Sequence, residues 1–189
     1  MIRHLAIAAL LALGTNAASA ATDIEGMWSP LKSKPVVETM PEAAAIPREI
    51  VPFTGDFAKG TIIVNTVERR LYLVLGDGKA MRYGIGVGRP GFSWTGEHKI
   101  SAKREWPEWR PPAEMLKRRP DLPKYMAGGE ENPLGARAMY LGNSMYRIHG
   151  SNEPESIGYA VSSGCIRMLN EDVIDLYNRV PAGAKVIVV

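Results

Sequence analysis

The chain has 189 residues, long enough for one domain with a substantial core and too short for two domains of ordinary size. Apolar residues make up 46% and charged residues 23% of the sequence, so the composition is that of a folded protein and excludes wholesale disorder. The single cysteine excludes both an intramolecular disulfide framework and a structural zinc site built on several thiolates. A formal charge of +3 does not indicate nucleic acid binding, which usually requires a basic stripe.

The first twenty residues have the pattern of a secretory signal peptide. Arg3 supplies a positive start, residues 5–13 are an apolar run too short to span a bilayer, and residues 18–20 (Ala-Ser-Ala) form a small-residue cleavage site. We therefore expect an exported protein whose mature chain begins at Ala21 and has no transmembrane segment. Residues 21–50 contain four prolines and no sustained period, which predicts a poorly ordered leader or a strap, with Trp28 as one docking point.

The folded domain is expected to span residues 51–189 and to consist mainly of β-strands. Patterns rich in β-branched and alternating apolar residues predict strands at 61–66, 70–75, 79–87, 98–103, 138–141, 145–149, 164–168 and 185–189. The sequence Gly76-Asp77-Gly78 predicts a hairpin between two of them. Strands with hairpins before and after one helix favour a mostly antiparallel architecture.

One amphipathic helix is predicted near the C-terminus. Val173, Leu176, Tyr177 and Val180 follow the i, i+3, i+4, i+7 spacing, and we expect the Asn170 side chain to cap the helix. Residues 104–135 form an insertion of a different character, rich in Trp, Pro and Gly, in which Pro111-Pro112 predicts the start of a short helix. Insertions of this length in a compact domain are usually functional.

Neither a dinucleotide nor a metal site is expected. Residues 86–91 match GxGxxG, but Pro90 lies inside the motif and a strand-like segment follows, so a glycine-rich turn is favoured. His98 and His149 lack metal-ligand spacing. We therefore predict no cofactor and no metal.

Cys165 and His149 are the candidate catalytic pair. A cysteine with an ordinary pKa of about 8.5 is only a few per cent thiolate near neutrality, and a neighbouring histidine can remove its proton and later protonate a leaving amine. The two residues lie at the ends of predicted strands, and the amides of Gly164 and Cys165 are candidate oxyanion donors. The residues alone leave open a buried inert thiol with a surface histidine. The order, His first and then 15 residues before Cys, is unlike papain-like peptidases, sortases and caspases.

These residues resemble the catalytic domain of the L,D-transpeptidases, the YkuD (ErfK/YbiS) family. The family signature is His-Gly, a gap, then Ser-[His/Ser]-Gly-Cys followed by Ile or Val and Arg; this chain has His149-Gly150 and Ser-Ser-Gly-Cys-Ile-Arg at 162–167. The resemblance covers roughly residues 51–189. Many members have a second histidine where this chain has Ser163, so His149 is the one histidine available near Cys165.

The resemblance implies a mainly β, mixed and largely antiparallel sandwich with one C-terminal helix and a lid at about 104–135. It also implies that Cys165 attacks the meso-diaminopimelate–D-Ala bond of a peptidoglycan tetrapeptide stem and forms a thioester, with His149 moving the protons. Arg167, Ser163 and Gly150 would contact substrate, although a structural ion pair is an equally good role for Arg167. The family further implies a periplasmic location and inhibition by carbapenems.

The same resemblance leaves the acyl acceptor open. It could be the amine of another stem, a lysine of an outer-membrane protein or lipoprotein, a free D-amino acid, or water. Two other functions remain: a hydrolase on the same scaffold, acting as an L,D-carboxypeptidase or on links between wall and protein, and a catalytically silent wall-binding module.

Overall fold

Residues 46–189 are described in the computed structural model, so the predicted signal peptide, Trp28 and most of the leader lie outside the described residues. Within them the strands are β1 Glu49–Pro52, β2 Ile62–Asn65, β3 Arg70–Gly76, β4 Lys79–Gly84, β5 Val87–Gly88, β6 Gly96–Glu105, β7 Arg137–Leu141, β8 Arg147–His149, β9 Ala160–Ser162, β10 Ile166–Arg167 and β11 Lys185–Val188. In this part of the chain the helices are α1 Ala113–Arg118 and α2 Asn170–Arg179, with a single 3-10 turn at Pro154–Ser156. No helix of residues 46–189 is both long enough and apolar enough to cross a membrane.

Nine strands form one sheet in the order β1-β4-β3-β2-β11-β6-β7-β8-β10, and β5 pairs with β9 separately. Most pairs are antiparallel; β2 with β11, β8 with β10 and β5 with β9 are parallel. The ten-residue strand β6 pairs with β11 along one part and with β7 along another, and its register shifts between Ile100 and Ala102. An irregularity of this kind lets one long strand pass from one face of a sandwich to the other. The predicted mainly β, largely antiparallel fold is confirmed.

The core lies between the two halves of this sheet and under α2. Fully or almost fully buried side chains come from both halves and from the helix: Ile62, Val64, Leu71, Leu73, Tyr83, Ile100, Met139, Leu141, Ile148, Ile166, Val173, Leu176 and Val186. The predicted hairpin is also present, because Asp77 (φ 51°) and Gly78 (φ 67°) adopt the two left-handed conformations of a type I′ turn. The spacing that predicted α2 places Val173 and Leu176 in the core.

Three local predictions need correction. The strand predicted at 79–87 ends at Gly84, and Val87–Gly88 instead pairs with β9, which the sequence did not predict. The sheet already begins at Glu49, two residues before the predicted start of the domain. Asn170 is the first residue of α2 and forms no cap, because its side chain bonds to segments distant in the sequence.

The segment between β6 and β7 lies against the cavity described below. It contains α1, which begins directly after Pro112 as predicted, and a two-residue bridge between Trp109 and Met126. At its base the Trp106 amide donates to the Ala136 carbonyl at 2.8 Å. Residues 106–136 are therefore tied at their base and across their middle.

Candidate active site

The parallel pairing of β8 with β10 brings His149 and Cys165 to one cavity. Ile148 pairs with Ile166 and His149 with Arg167, while Cys165 directly precedes β10. Both His149 and Cys165 line a cavity of about 340 Å³, whose other wall comes from residues 109–134. His149 and Cys165, 16 positions apart in the sequence, thus lie at the end of one strand and directly before its neighbour.

His149 is held in one tautomer and in the neutral form. Its side chain is buried, with 4% of its surface exposed, and Nδ1 lies 2.5 Å from the Gly150 carbonyl oxygen. A carbonyl oxygen can only accept, so Nδ1 carries the hydrogen and Nε2 is left with a free lone pair. Burial lowers the pKa of His149 to about 3, and the charges of Arg167 and Arg147 also lower it. The hydrogen bond to the Gly150 carbonyl acts in the opposite direction and raises this pKa. Near neutral pH the imidazole is therefore unprotonated, with its Nε2 lone pair available.

Cys165 lies in a loop that the Ser162 hydroxyl holds in place. Ser162 Oγ donates to the Cys165 carbonyl oxygen at 2.6 Å and accepts from the Gly164 N–H at 3.1 Å. The thiol itself is half-buried, and Sγ is 3.9 Å from the Met145 carbonyl oxygen. Gly164 has φ +107°, and a Cβ there would meet Tyr146 at 2.7 Å, so this close approach requires glycine.

The two predicted oxyanion donors differ in the structure. The Gly164 N–H is already bonded to Ser162 Oγ, which argues against a role for this amide in binding an oxyanion. The Cys165 N–H forms no hydrogen bond within residues 46–189. Of the two predicted donors, the Cys165 amide is therefore the one that is available.

The other predicted site residues are placed differently. Arg167 lines the cavity, but its Nη1 is 2.7 Å from Glu153 Oε2, so it forms the structural ion pair that the sequence left open. Ser163 lines the cavity, and its Oγ accepts from Arg89 Nη1 at 3.3 Å. Gly150 does not line the cavity; its carbonyl contacts His149 and its N–H donates to the Arg137 carbonyl. Both polar groups of Gly150 are thus used within the fold, and its contact with substrate stays a prediction.

The cavity is strongly basic, which the sequence analysis missed. Five arginines line it: Arg89, Arg118, Arg119, Arg147 and Arg167. Arg119 pairs with Asp121 and Arg167 with Glu153, whereas the other three have no acidic partner among residues 46–189. A signal was present for Arg147, since residues two apart on a strand share a face and Arg147 precedes His149 by two. No comparable local signal marks Arg89 or Arg118.

Asn170 joins three elements behind the catalytic pair. Its Oδ1 accepts from the Ala136 N–H at 2.9 Å, and its Nδ2 donates to the Ser151 carbonyl at 3.1 Å. Ala136 directly precedes β7, and Ser151 follows His149-Gly150 at the end of β8. The side chain that the sequence assigned to a helix cap therefore fixes the backbone around His149.

Asn170→Ala is expected to destabilise the protein by about 2–3 kcal/mol, because it leaves two buried backbone groups without their partner. Asn170→Asp keeps an acceptor for Ala136 but places a carboxylate oxygen against the Ser151 carbonyl oxygen, two acceptors with no hydrogen between them, so it should destabilise the protein as well. Urea unfolding followed by tryptophan fluorescence measures both. A loss below about 0.5 kcal/mol for the alanine variant would contradict this role.

Residues 59–188 match the sequence profile of the YkuD family, described as the L,D-transpeptidase catalytic domain. The chain belongs to this family. The probable L,D-transpeptidase ErfK/SrfK of Escherichia coli K12 is 33% identical over 175 residues, which are 86% of this chain and 55% of that protein. The chain thus spans about half the length of the curated relative that it matches.

Solved structures agree on the L,D-transpeptidase fold. The NMR structure of the Enterococcus faecium L,D-transpeptidase catalytic domain acylated by ertapenem has a TM-score of 0.54 and 20% identity, and covers 71% of this chain and all of that one. A Brucella melitensis protein, described as a probable carnitine operon oxidoreductase caia, is 45% identical with a TM-score of 0.52 and covers 75% of this chain and 94% of that one. The description of that protein names an oxidoreductase, a class that often binds dinucleotides, and residues 86–91 of the present protein match GxGxxG. These residues lead into strand β6 and not into a helix, so they lack the strand-turn-helix geometry of a dinucleotide-binding motif.

Proposed function

We propose that this protein is a peptidoglycan L,D-transpeptidase that uses Cys165 as nucleophile and His149 as base. The observation that carries the proposal is that a half-buried thiol, directly before β10, and a buried, neutral imidazole, at the end of the neighbouring strand β8, line one basic cavity. Membership of the family and the ertapenem adduct of the E. faecium relative support the same chemistry.

The first half-reaction forms a thioester. His149 Nε2 takes the thiol proton, and the Cys165 sulfur attacks the carbonyl carbon of the L-centre of meso-diaminopimelate in the donor stem. The carbonyl electron pair moves to oxygen, where the Cys165 N–H donates to the resulting oxyanion. When the intermediate collapses, the bond to the D-Ala nitrogen breaks, and that nitrogen receives the proton from His149.

The second half-reaction returns the enzyme to its starting state. An acceptor amine attacks the thioester carbonyl and gives a proton to His149; the carbon–sulfur bond then breaks, and the sulfur takes that proton from His149 to leave as the Cys165 thiol. The proposed acceptor is the side-chain amine of a second stem, which yields a cross-link between two diaminopimelate residues. A protein lysine, a free D-amino acid or water would complete the same step.

Recognition of the donor stem is assigned to the arginines of the cavity. Peptidoglycan stems carry several carboxylates, and a planar guanidinium binds a carboxylate through two parallel hydrogen bonds. Because Arg167 is already paired with Glu153, Arg89 takes this role instead: it has no acidic partner within residues 46–189 and rests on the Phe92 ring at 4.2 Å. Residues 104–135 would act as the lid over this groove. Export to the periplasm, through the signal at residues 1–20, fits a wall substrate.

Arg89→Gln is expected to raise the KM for a tetrapeptide donor about tenfold and to change kcat little. A charge-assisted hydrogen bond contributes about 1.5–3 kcal/mol, and 1.4 kcal/mol corresponds to a factor of ten. Arg89→Lys should recover part of the loss, and Arg70→Gln, which removes an arginine that does not line the cavity, should have no effect. Steady-state release of D-Ala measures all three. A fall in kcat with unchanged KM for Arg89→Gln would exclude the recognition role.

The decisive test of the activity is incubation of the protein with purified disaccharide-tetrapeptide, followed by mass spectrometry. A product equal to two substrates minus one D-Ala is expected, and it should be absent with Cys165→Ala. D-Ala release without a dimer would instead indicate the hydrolase, an L,D-carboxypeptidase. If added D-methionine or a lysine peptide is incorporated in place of D-Ala, that amine is the acceptor and the protein is a transferase. Neither product nor acyl-enzyme would indicate a wall-protein link hydrolase or a silent wall-binding module.

A further inference from the structure

Trp94 binds the backbone immediately before the nucleophile. Its indole Nε1–H donates to the Gly164 carbonyl oxygen at 2.7 Å, across 70 residues of sequence. The ring is held on two sides: it stacks on Tyr146 with centroids 4.2 Å apart and planes 7° from parallel, and it meets His98 edge-on at 5.2 Å. Packing therefore sets the direction of the indole N–H, and this N–H donates its hydrogen bond to the Gly164 carbonyl.

This hydrogen bond fixes the orientation of the Cys165 amide. The carbonyl of Gly164 and the N–H of Cys165 belong to the same peptide group, and no peptide bond in residues 46–189 is cis. In a trans peptide the two groups point in opposite directions within one plane. Holding the carbonyl against Trp94 therefore aims the Cys165 N–H away from the indole, and this N–H is the donor that has no partner within the described residues.

The peptide needs such an anchor because it follows a glycine. Glycine has wide rotational freedom on both sides of its Cα, so a Gly-Cys peptide plane can rotate at lower cost than one between two larger residues. Ser162 holds the Gly164 N–H and the Cys165 carbonyl, which belong to the peptide groups on either side. Within residues 46–189, the Trp94 bond is the one that holds the intervening peptide itself.

We infer that Trp94 is a positioning residue that keeps the Cys165 amide directed at the oxyanion, an inference that rests on the proposed function. Its effect is confined to steps that develop negative charge on a carbonyl oxygen. Attack on a β-lactam is such a step: the sulfur–carbon bond forms, the carbonyl electrons move to oxygen, and the carbon–nitrogen bond then breaks while the nitrogen takes the proton from His149. Alkylation by iodoacetamide is not, because the sulfur displaces iodide from a saturated carbon and no oxyanion forms.

The experiment compares these two reactions on the same thiol. Trp94→Phe keeps an aromatic ring but removes the donor, and we expect the rate of ertapenem acylation, followed by intact mass, to fall about 10- to 100-fold. Complete loss of an oxyanion donor typically costs about 10²–10³-fold, and a misdirected donor costs part of that. The rate of iodoacetamide alkylation should stay within about twofold. A parallel fall in both rates, or no fall in either, would overturn the inference.

A second variant separates the hydrogen bond from the shape of the ring. Replacing Trp94 by 3-benzothienylalanine substitutes sulfur for the N–H and preserves the bicyclic ring that stacks on Tyr146. We expect it to lose acylation as Trp94→Phe does and to keep normal alkylation; recovery of wild-type acylation would mean that ring packing, and not the hydrogen bond, is responsible. If wild-type protein is alkylated but never acylated, the proposed function fails, and that result is distinct from a failure of the Trp94 inference.

Discussion

Cys165→Ala is expected to lower acylation by ertapenem and release of D-Ala by more than about 10⁴-fold, to below detection. The thioester forms on Sγ, and alanine offers no group that can take its place. Intact mass spectrometry gives a direct answer: wild-type protein should gain the mass of one ertapenem, and the variant should gain none. Because the chain has one cysteine, a single substitution tests the thiol completely.

The variant is expected to fold normally, which makes the loss interpretable. Sγ is half-buried and makes one long contact, 3.9 Å to the Met145 carbonyl, so its removal costs little packing. The midpoint of thermal unfolding should stay within a few degrees of wild type. Cys165→Ser serves as the matched control, since it preserves shape and hydrogen bonding but is a far weaker nucleophile. Acylation of Cys165→Ala would contradict the assignment and would direct peptide mapping to the neighbouring hydroxyls of Ser162 and Ser163.

The parts of the fold that the sequence predicted depend on local patterns. The hairpin at Asp77-Gly78 follows from the two residues that favour left-handed backbone, and α2 follows from apolar side chains at helical spacing. The motif around Cys165 was found for a similar reason, because the residues that resemble the family signature are adjacent in the sequence, at 162–167. Strand β9 was missed, since it pairs with Val87–Gly88, a partner distant in the sequence that no local pattern indicates.

The parts of the site that the sequence did not predict depend on contacts between distant segments. Asn170 is of a residue type that often caps helices, yet its side-chain Oδ1 accepts from the N–H of Ala136, 34 residues away. Trp94 and Gly164 are 70 residues apart, and nothing near either residue indicates their hydrogen bond. The Gly164 amide was named as a candidate oxyanion donor because nothing in the sequence shows that the Ser162 hydroxyl accepts its hydrogen. Tertiary structure decides each of these cases.

His149→Asn is expected to slow acylation by about 10²–10⁴-fold, the usual contribution of a positioned general base. Asparagine can still donate to the Gly150 carbonyl, as Nδ1 does, but it has no basic nitrogen to take the thiol proton. The variant therefore removes the base while keeping the buried hydrogen bond. Stopped-flow or intact-mass measurement of the ertapenem rate gives the size of the effect; a reduction of less than about tenfold would show that another group accepts the proton.

The pH dependence gives an independent test of the same residue. Burial, with Arg167 and Arg147 adding to it, lowers the pKa of His149 from 6.5 to about 3, so the imidazole stays neutral from pH 8 down to well below 6. The acylation rate of the wild-type enzyme should therefore show no acid limb near pH 6.5. An acid limb centred there would mean that the imidazole titrates as an exposed histidine does.

The stability of the protein must change with pH through the same group. Below pH 6.5 the unfolded chain binds a proton on His149 that the folded protein does not bind until about pH 3, so this residue lowers the free energy of unfolding as the pH falls through that interval. His149→Asn lacks the titrating group, and its free energy of unfolding should decline less than that of wild type between pH 7 and pH 4. Urea unfolding at a series of pH values measures the difference. Curves that run parallel for the two proteins would show that the imidazole is solvated and that its pKa is that of an ordinary histidine.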